Sequence, residues 1–303
     1  MGSLRTQRIL ILRDIKVLHV EPTDVCQAAC PLCPRETDLT FDRHAQHHLS
    51  IDQISAVISD QQIQNLSKMF MCGNYGDPAA GHHTQEIYRY FRSVNPSITL
   101  GMNTNGALQN RDWWYNLGKL FNQSQDYVVF SIDGLEDTNH MYRRNVNWFK
   151  LMTNIRGYIS AGGSAHWDML VYQHNEHQVD KCEQLARDIG FTWFRAKVSK
   201  RDLLGTTLQM PSNWQSPVIA DGPINCHALN ESSAYITAQG KLSPCCWLGS
   251  KNFTSETQFN QIQQTWKTDT PNQTCKATCS GSIKTPFTNQ WQREKSLNPH
   301  QKA

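Results

Sequence analysis

The segment V-E-P-T-D-V-C-Q-A-A-C-P-L-C, residues 20–33, carries three cysteines at positions 26, 30 and 33. It follows the short apolar stretch at 16–20, which predicts a strand, so the cysteines fall in the loop after that strand. Their spacing differs from the paired C-x2-C arrangement of zinc ribbons and from the C-x2-C-x2-C-x3-C-P run of ferredoxins. Three thiolates on one loop suit a [4Fe–4S] cluster in which one iron keeps open coordination positions. A zinc site with a distant fourth ligand is the alternative.

A repeated strand-then-helix pattern fills the first two thirds of the chain. Apolar segments at 16–20, 68–72, 98–102, 127–132, 166–171 and 192–198 predict strands, and helical patterns occur at 51–63, 84–94, 111–121, 147–160 and 176–189. This alternation indicates a parallel sheet with right-handed crossovers, and six strands are too few to close an eight-stranded barrel. We therefore predict an α/β fold, with an open (β/α)6 partial TIM barrel over residues 10–200 and a small C-terminal domain over 201–303.

Charge, hydropathy and cysteine content bear on whether the protein acts on nucleic acid, in a membrane or outside the cell. The 303-residue chain has a formal net charge of +3 with interspersed acidic and basic residues, a balance that argues neither for nor against a nucleic-acid partner; we expect none. No apolar run approaches the ~18 residues of a membrane span, and the N-terminal segment lacks the apolar core of a signal peptide. We expect a cytoplasmic protein without a membrane partner. In such a chain the ten cysteines indicate metal or redox use rather than disulfides.

The cysteine loop resembles the signature C-x3-C-x-φ-C of the radical S-adenosylmethionine (SAM) superfamily, with Leu32 at the φ position. The resemblance implies that Cys26, Cys30 and Cys33 ligate a [4Fe–4S] cluster whose unique iron binds the amino and carboxylate groups of SAM. It also implies reductive cleavage of SAM into methionine and a 5′-deoxyadenosyl radical, which abstracts hydrogen from a substrate carbon. An electron donor such as flavodoxin or ferredoxin is then an expected partner.

Further resemblances follow the second and third predicted strands, at the end of a parallel barrel where functional groups gather. The run Y-G-D-P, residues 75–78, resembles the family's G-G-E-P segment, which holds the SAM amino group. It implies cofactor-binding roles for Tyr75, Gly76 and Asp77. The run N-T-N-G, residues 103–106, resembles the family's T-N-G near the SAM ribose and adds Asn105 to the expected cofactor site.

The segment after the fourth predicted strand carries the candidate catalytic residues. The run S-I-D-G, residues 131–134, and the downstream Arg143 resemble the S-x-D-G and arginine of the peptide-modifying and sulfatase-maturating branches. The resemblance implies that Ser131 and Arg143 face the methionyl carboxylate of SAM or the substrate, because the guanidinium fork suits carboxylates. Asp133 in the same run is the second catalytic candidate. After the fifth strand, we expect Asn175 to reach the cavity and contact the cofactor.

The remaining clustered cysteines lie near the C-terminus. Four of them have the spacing C-x13-G-x4-C followed by C-x3-C: Cys226, Cys245, Cys275 and Cys279. The run at 235–244 predicts a hairpin with Gly240 at its turn, which returns the second of these cysteines towards the first. The group resembles the twitch domain, a shortened SPASM extension, and implies an auxiliary [4Fe–4S] cluster. Zinc on the same four thiolates, and Cys246 in place of Cys245, are open alternatives.

Taken together, the resemblances predict a radical SAM enzyme of the oxidoreductase type. The substrate is a small molecule or a peptide, and both dehydrogenation and peptide crosslinking or epimerisation fit, because motifs do not fix the shape of a substrate cavity. A non-catalytic module stapled by iron–sulfur or zinc is the competing interpretation. Cys72, at the end of the second strand, is either a hydrogen-atom donor or a buried inert thiol, and Cys182 has no predicted role.

Overall fold

The computed structural model describes residues 15–199, 201, 203–212, 214, 222–249, 256–266, 268, 270–281 and 293–297. Within these residues one sheet contains β1 Val17–Val20, β2 Lys68–Met71, β3 Thr99–Thr104, β4 Tyr127–Ser131, β5 Ala165–Val171, β6 Trp193–Val198, β7 Ser233–Ile236, β8 Leu242–Ser243 and β9 Arg293–Ser296. Their order across the sheet is β8-β7-β1-β2-β3-β4-β5-β6-β9. Residues 10–14 of the predicted barrel domain and parts of the predicted C-terminal domain lie outside the described residues.

The helices of the described residues are α1 Pro34–Thr37, α2 Ile51–Ser55, α3 Asp60–Gln64, α4 Thr84–Val94, α5 Arg111–Leu120, α6 Glu136–Tyr142, α7 Trp148–Ser160, α8 Val179–Ile189, α9 His227–Asn230, α10 Cys246–Gly249, α11 Glu256–Thr265 and α12 Gln273–Cys279. Short 3-10 turns lie at Pro78–Ala80 and Glu176–Gln178. In this part of the chain no helix has the length and apolar character needed to cross a membrane.

The predicted alternation of strand and helix is confirmed for β1 to β6. Each of these strands pairs in parallel with the next, and all lie within two residues of their predicted bounds. The sheet stays open because β6 pairs with β9 and not with β1. The architecture is thus an α/β fold with a mostly parallel sheet, as in a partial barrel.

Side chains alternate between the two faces of this sheet. On β6, Phe194 and Ala196 are fully buried in the apolar core, whereas Arg195 and Lys197 lie on the opposite face. Because successive strand residues point to opposite sides, every strand delivers one row to the helix-covered core and one row to the other face. That second row ends at the loops that form the site.

Two predicted helices differ in their details. The prediction of one continuous helix at 51–63 is wrong, because the chain forms two helices and α3 starts after its N-cap residue Ser59. The Ser59 side chain accepts the Gln62 N–H, and the Gln62 side chain accepts the Ser59 N–H at 2.8 Å. This capping box starts a helix and therefore interrupts the earlier one. The helix predicted at 176–189 begins with a 3-10 turn before α8.

The sheet continues beyond residue 200. β7 pairs in parallel with β1, placing Ala234 beside Leu18, and β9 pairs antiparallel with β6. β7 and β8 form the predicted hairpin, and Gly240 in its turn has a φ of +75°, which glycine adopts without steric cost. Since strands from both sides of residue 200 share one sheet, the division into two domains there stays a prediction.

Candidate functional site

A cavity of about 680 Å³ opens at the carboxyl ends of the parallel strands. Loops that follow parallel strands meet at this edge of a sheet. The cavity wall includes the cysteines of the first loop and most motif residues selected from the sequence: Cys26, Cys30, Cys33, Tyr75, Gly76, Asp77, Asn105, Ser131 and Arg143. Asp133 and Asn175 are not among the lining residues. The fold therefore brings together all but two of the candidates expected at this edge.

Backbone contacts fix the cysteine loop at the cavity wall. The Cys33 N–H donates to the Cys30 carbonyl at 2.9 Å, which closes a tight turn between two of the thiols. Arg201 Nη1 donates to the Leu32 carbonyl at 2.6 Å and ties the loop to the segment after β6. The loop therefore presents its three thiols from a fixed backbone.

Three hydrogen-bond donors lie close to the thiol sulfurs. The Ala28 N–H is 3.3 Å from Cys26 Sγ, and Asn105 Nδ2 is 3.7 Å from the same atom. Arg143 Nη1 is 3.9 Å from Cys30 Sγ. Hydrogen bonds to sulfur stabilise thiolate ligands and tune the reduction potential of an iron–sulfur cluster. These surroundings suit anionic, metal-bound sulfur.

Burial governs the protonation of the free thiols. It raises the pKa of Cys26, Cys30 and Cys33, and the positive charge of Arg143 opposes this rise at Cys30 and Cys33. The thiols therefore carry protons at neutral pH, and iron would bind with proton release. Three thiols on one loop, with a cation and two N–H donors beside them, fit three corners of a [4Fe–4S] cluster.

Within the described ranges, no group of three or more His, Cys, Asp and Glu side chains converges closely enough to hold a single metal ion. The thiolates of a [4Fe–4S] cluster bind different irons and so lie farther apart than the ligands of one ion.

The turn after β2 is organised by Glu21, which the sequence analysis did not select. Glu21 is 2% exposed, and its Oε1 accepts the N–H groups of Tyr75 at 2.8 Å and Gly76 at 3.2 Å. Its Oε2 accepts the hydroxyl of Tyr235 from β7. The available sequence signal was an acidic residue directly after a buried strand, where a carboxylate needs donors. Glu21 thus couples β1, the turn and β7.

Glycines allow this turn to pack tightly. A Cβ on Gly76 would lie 1.9 Å from the Thr23 carbonyl oxygen, and one on Gly73 would lie 1.9 Å from the Gly76 carbonyl oxygen. The Asn74 carbonyl oxygen lies 3.8 Å from Cys33 Sγ. The backbone of the turn therefore reaches the cysteine loop, and residues 73–76 line the cavity.

Protein donors already occupy the carboxylate of Asp77. Its Oδ1 accepts the Ala79 N–H at 2.9 Å and the Thr104 hydroxyl at 2.8 Å. Its Oδ2 accepts both the backbone N–H and Nδ2 of Asn105 at 2.7 Å. The carboxylate expected to hold the SAM amino group is thus engaged on both oxygens, and it orients Asn105 between the cavity and Cys26. A direct bond from Asp77 to SAM would displace one of these donors.

Asp133 supports Arg143 from behind the cavity wall. Asp133 Oδ2 accepts Arg143 Nε at 2.6 Å, and its Oδ1 accepts the Leu170 N–H at 2.6 Å. Burial alone would lower the pKa of Arg143, but the charges of Asp133, Cys30 and Tyr142, together with the hydrogen bond to Asp133, raise this pKa. Asp133 is fully buried and is not among the lining residues, which favours a positioning role behind Arg143; the catalytic role expected for it stays a prediction.

Asn175 is also displaced from its expected place in the cavity. It is fully buried, and its Nδ2 donates to the carbonyls of Asp133 and Leu170, both at 2.9 Å. Its Oδ1 accepts the Tyr172 N–H at 2.8 Å. Both the NH2 group and the oxygen of the Asn175 amide are hydrogen-bonded to the backbone around the turn after β5. A contact between Asn175 and the cofactor is therefore not supported.

Charged residues on β5 and β6 also line the cavity, and the sequence analysis missed them. Ser131, Asp168 and Arg195 lie side by side in the sheet register. Arg195 Nε donates to Asp168 Oδ1 at 2.6 Å, and Lys197 Nζ donates to Asp168 Oδ2 at 2.7 Å. The signal was the alternation of basic and apolar residues in the predicted strand at 192–198.

The four tail cysteines lie in one neighbourhood. Three of them, Cys226, Cys245 and Cys275, belong to one small apolar cluster. The other members of this cluster are Ile224, Leu248, Ile262 and Trp266. An antiparallel bridge between Ile224 and Ser280 brings Cys279 beside them, and its carbonyl accepts the Asn225 N–H at 2.8 Å. Burial and then repulsion among these thiolates raise the pKa values of Cys226, Cys245 and Cys275.

Cys246 interacts with a different set of groups. Burial, followed by the charges of Cys245 and Glu21, raises its pKa to about 12. Burial and then Cys246 and Glu21 raise the pKa of Cys72 to about 12 as well. Cys72 lines the cavity. The charges of Cys245 and Glu21 thus act on Cys246, whereas those of Cys226 and Cys275 act on Cys245.

The chain matches a known family and resembles several solved structures. The sequence model of the Radical SAM superfamily matches residues 20–188. The fold is similar to SuiB from Streptococcus suis, with a TM-score of 0.59 and 12% identity over 88% of this chain and 69% of that one. It is also similar to native anSMEcpe with bound AdoMet, with a TM-score of 0.52 and 12% identity over 76% and 74%. No curated protein matches the chain.

Proposed function

Because the chain belongs to the radical SAM superfamily, and is thus a radical SAM enzyme, we propose that it modifies a peptide and holds its [4Fe–4S] cluster through Cys26, Cys30 and Cys33. The observation that carries the proposal is the position of these thiols on one loop at the wall of the cavity, beside Arg143 and the turn after β2. When bound, the cluster and SAM supply a 5′-deoxyadenosyl radical that abstracts hydrogen from a substrate carbon.

The lining residues divide the recognition of SAM between backbone and side chains. We assign the SAM ammonium to the carbonyl groups of the turn at 73–76, because the Asp77 carboxylate is engaged by protein donors. We assign the SAM carboxylate to Arg143, whose guanidinium Asp133 holds beside Cys30. Asn105 and Ser131 complete the wall on the β3 and β4 side.

Two observations support a peptide as substrate. SuiB has been solved with the precursor peptide SuiA, and anSMEcpe with the Cp18Cys peptide. Both share this fold, although their identity to the chain is 12% and 13%. The cavity of about 680 Å³ at this edge of the sheet is the proposed place for the reacting residue of the peptide. Flavodoxin or ferredoxin is the proposed electron donor.

We also propose an auxiliary [4Fe–4S] cluster in the tail, as in a twitch-type domain. Its ligands are Cys226, Cys245, Cys275 and Cys279, which share one neighbourhood. The cluster would replace a large apolar core in a segment rich in polar residues. Cys246 is not part of the apolar cluster that contains Cys226, Cys245 and Cys275, so we propose Cys245 as the ligand and keep Cys246 as the alternative.

A triple replacement tests the proposed function. Anaerobically reconstituted protein with Cys26, Cys30 and Cys33 changed to Ala should hold about four fewer irons per chain and form no 5′-deoxyadenosine from SAM and dithionite. Cys182→Ala is the matched control, because this thiol is buried on α8 and lies outside the cavity lining. It should keep full iron and full cleavage. Cleavage by the triple variant would contradict the proposal.

A further inference from the structure

The part of the cavity wall formed by β5 and β6 carries a charged triad that has no part in the proposed binding of SAM. Asp168 lines the cavity from β5, and Arg195 and Lys197 line it from β6. The two cations donate to the two oxygens of this one carboxylate, at 2.6 and 2.7 Å. One negative charge therefore serves two positive charges, and the triad has an excess positive charge.

Neighbouring acids do not remove this excess. Glu294 Oε1 is 3.9 Å from Arg195 Nη1, and its side chain is 55% exposed, so the pair is weak. Asp77, the other carboxylate in the described lining, is engaged by the loops after β2 and β3. The side chains of Arg195 and Lys197 are each 36% exposed, so they have N–H groups free to meet a ligand.

A purely structural role explains the triad poorly. Only Asp168, at 14% exposure, is largely removed from water, and a single cation would be enough to pair its charge. Lower on the same sheet, Lys68 Nζ lies 4.9 Å from the centre of the Tyr127 ring and 5.3 Å from that of Phe70. That cation is satisfied by aromatic faces outside the cavity, whereas Arg195 and Lys197 are placed in its wall.

We propose that Arg195 and Lys197 bind an oxyanion of the substrate, a carboxylate or a phosphate on the peptide beside the carbon that loses hydrogen. Asp168 is the positioning residue that aligns the two cations. Arg supplies a planar fork and Lys a point charge, a pair that suits an anion with several oxygens. This inference rests on the proposed peptide substrate and specifies that the peptide carries a negative charge near the reacting carbon.

Three matched peptides test the proposal by isothermal titration into the anaerobic, cluster-loaded protein with SAM. The probes are acetyl-Gly-Glu-Gly-amide, its phosphoserine counterpart and its Gln counterpart. At least one anionic peptide should bind about tenfold tighter than the Gln peptide. A preference for the glutamate or the phosphoserine peptide identifies which oxyanion the site accepts. Equal affinity for all three would overturn the proposal.

Variants locate the preference in the triad. Lys197→Met should remove most of the discrimination between anionic and Gln peptides, and Lys197→Arg should retain it. Lys68→Met removes one cation from the same sheet outside the cavity lining and should leave the discrimination intact. Discrimination that survives in a Lys197→Met, Arg195→Gln double variant with normal circular dichroism would contradict the assignment.

Separate readouts keep the two proposals distinguishable. Cleavage of SAM by the wild-type protein tests the proposed function and needs no peptide. A protein that cleaves SAM but binds the three peptides equally contradicts the substrate charge alone. A protein that discriminates among the peptides but never cleaves SAM contradicts the proposed reaction and leaves the oxyanion site in place.

Discussion

Replacing Asp133 with Asn tests how the fold holds Arg143. The side chain of Asp133 is fully buried, and its two oxygens accept Arg143 Nε and the Leu170 N–H, each at 2.6 Å. Asn keeps an acceptor for Leu170 but turns an NH2 group towards the guanidinium, so the ion pair is lost. Breaking a buried pair costs about 3 to 5 kcal/mol of stability. Losing a charge-assisted bond from Arg143 to SAM costs about 1.5 to 3 kcal/mol, or about ten- to a hundredfold in affinity.

A second buried ion pair provides the matched control. Asp126 accepts Arg92 Nη2 at 2.5 Å and the Leu100 N–H at 2.8 Å, and neither member of the pair lines the cavity. Urea denaturation should show comparable losses for Asp126→Asn and Asp133→Asn. Isothermal titration with SAM should show weaker binding only for Asp133→Asn. Unchanged SAM affinity in Asp133→Asn would refute the positioning role.

Three further predictions concern the turn, the tail and pH. Glu21→Ala should weaken SAM binding about tenfold by leaving the N–H groups of the turn unpaired, whereas Glu21→Gln, which keeps an acceptor, should bind nearly normally in the same titration. Iron analysis should show that Cys245→Ala loses iron and Cys246→Ala does not; the opposite result would exchange the two ligands. Burial lowers the pKa of His19 and His166 from 6.5 to about 4. Unfolded chains therefore bind more protons in this window, and unfolding free energy should fall by about 1.4 kcal/mol per pH unit per histidine as pH drops from 6.5 to 4, with a smaller slope in His166→Phe.

The sequence was sufficient to predict those strands, helices and turns that are marked by a local pattern of residues. The strands β1 to β6 and the helices between them have apolar periodicities that need no distant partner, and Gly240 marks its turn by its own conformational freedom. The capping pair of Ser59 and Gln62 was also readable and was overlooked. β9, R-E-K-S, has no apolar alternation, and only its pairing with β6 makes it a strand.

Side-chain direction limited the prediction of the site. The sequence placed Asp133 and Asn175 in the correct loops, but the orientation of these side chains depends on Arg143 and Leu170, which the fold brings together. Glu21 escaped notice because its main donors lie 54 and 55 residues away in the turn and farther still in β7. Conversely, the alternation of side chains in the predicted strand at 192–198 was enough to place Lys197 on the face of the sheet opposite the apolar core. The sequence analysis did not draw this conclusion.

Electron paramagnetic resonance of the reduced protein, recorded with and without SAM, tests the central claim most directly. A cluster held by only three thiolates has an iron that SAM can bind, so SAM should change the spectrum of the wild-type protein. The same change should persist in Cys245→Ala, which retains the first loop, and disappear when Cys26, Cys30 and Cys33 are all replaced. A wild-type spectrum that SAM leaves unaltered would contradict the assignment of these three cysteines to a SAM-binding cluster.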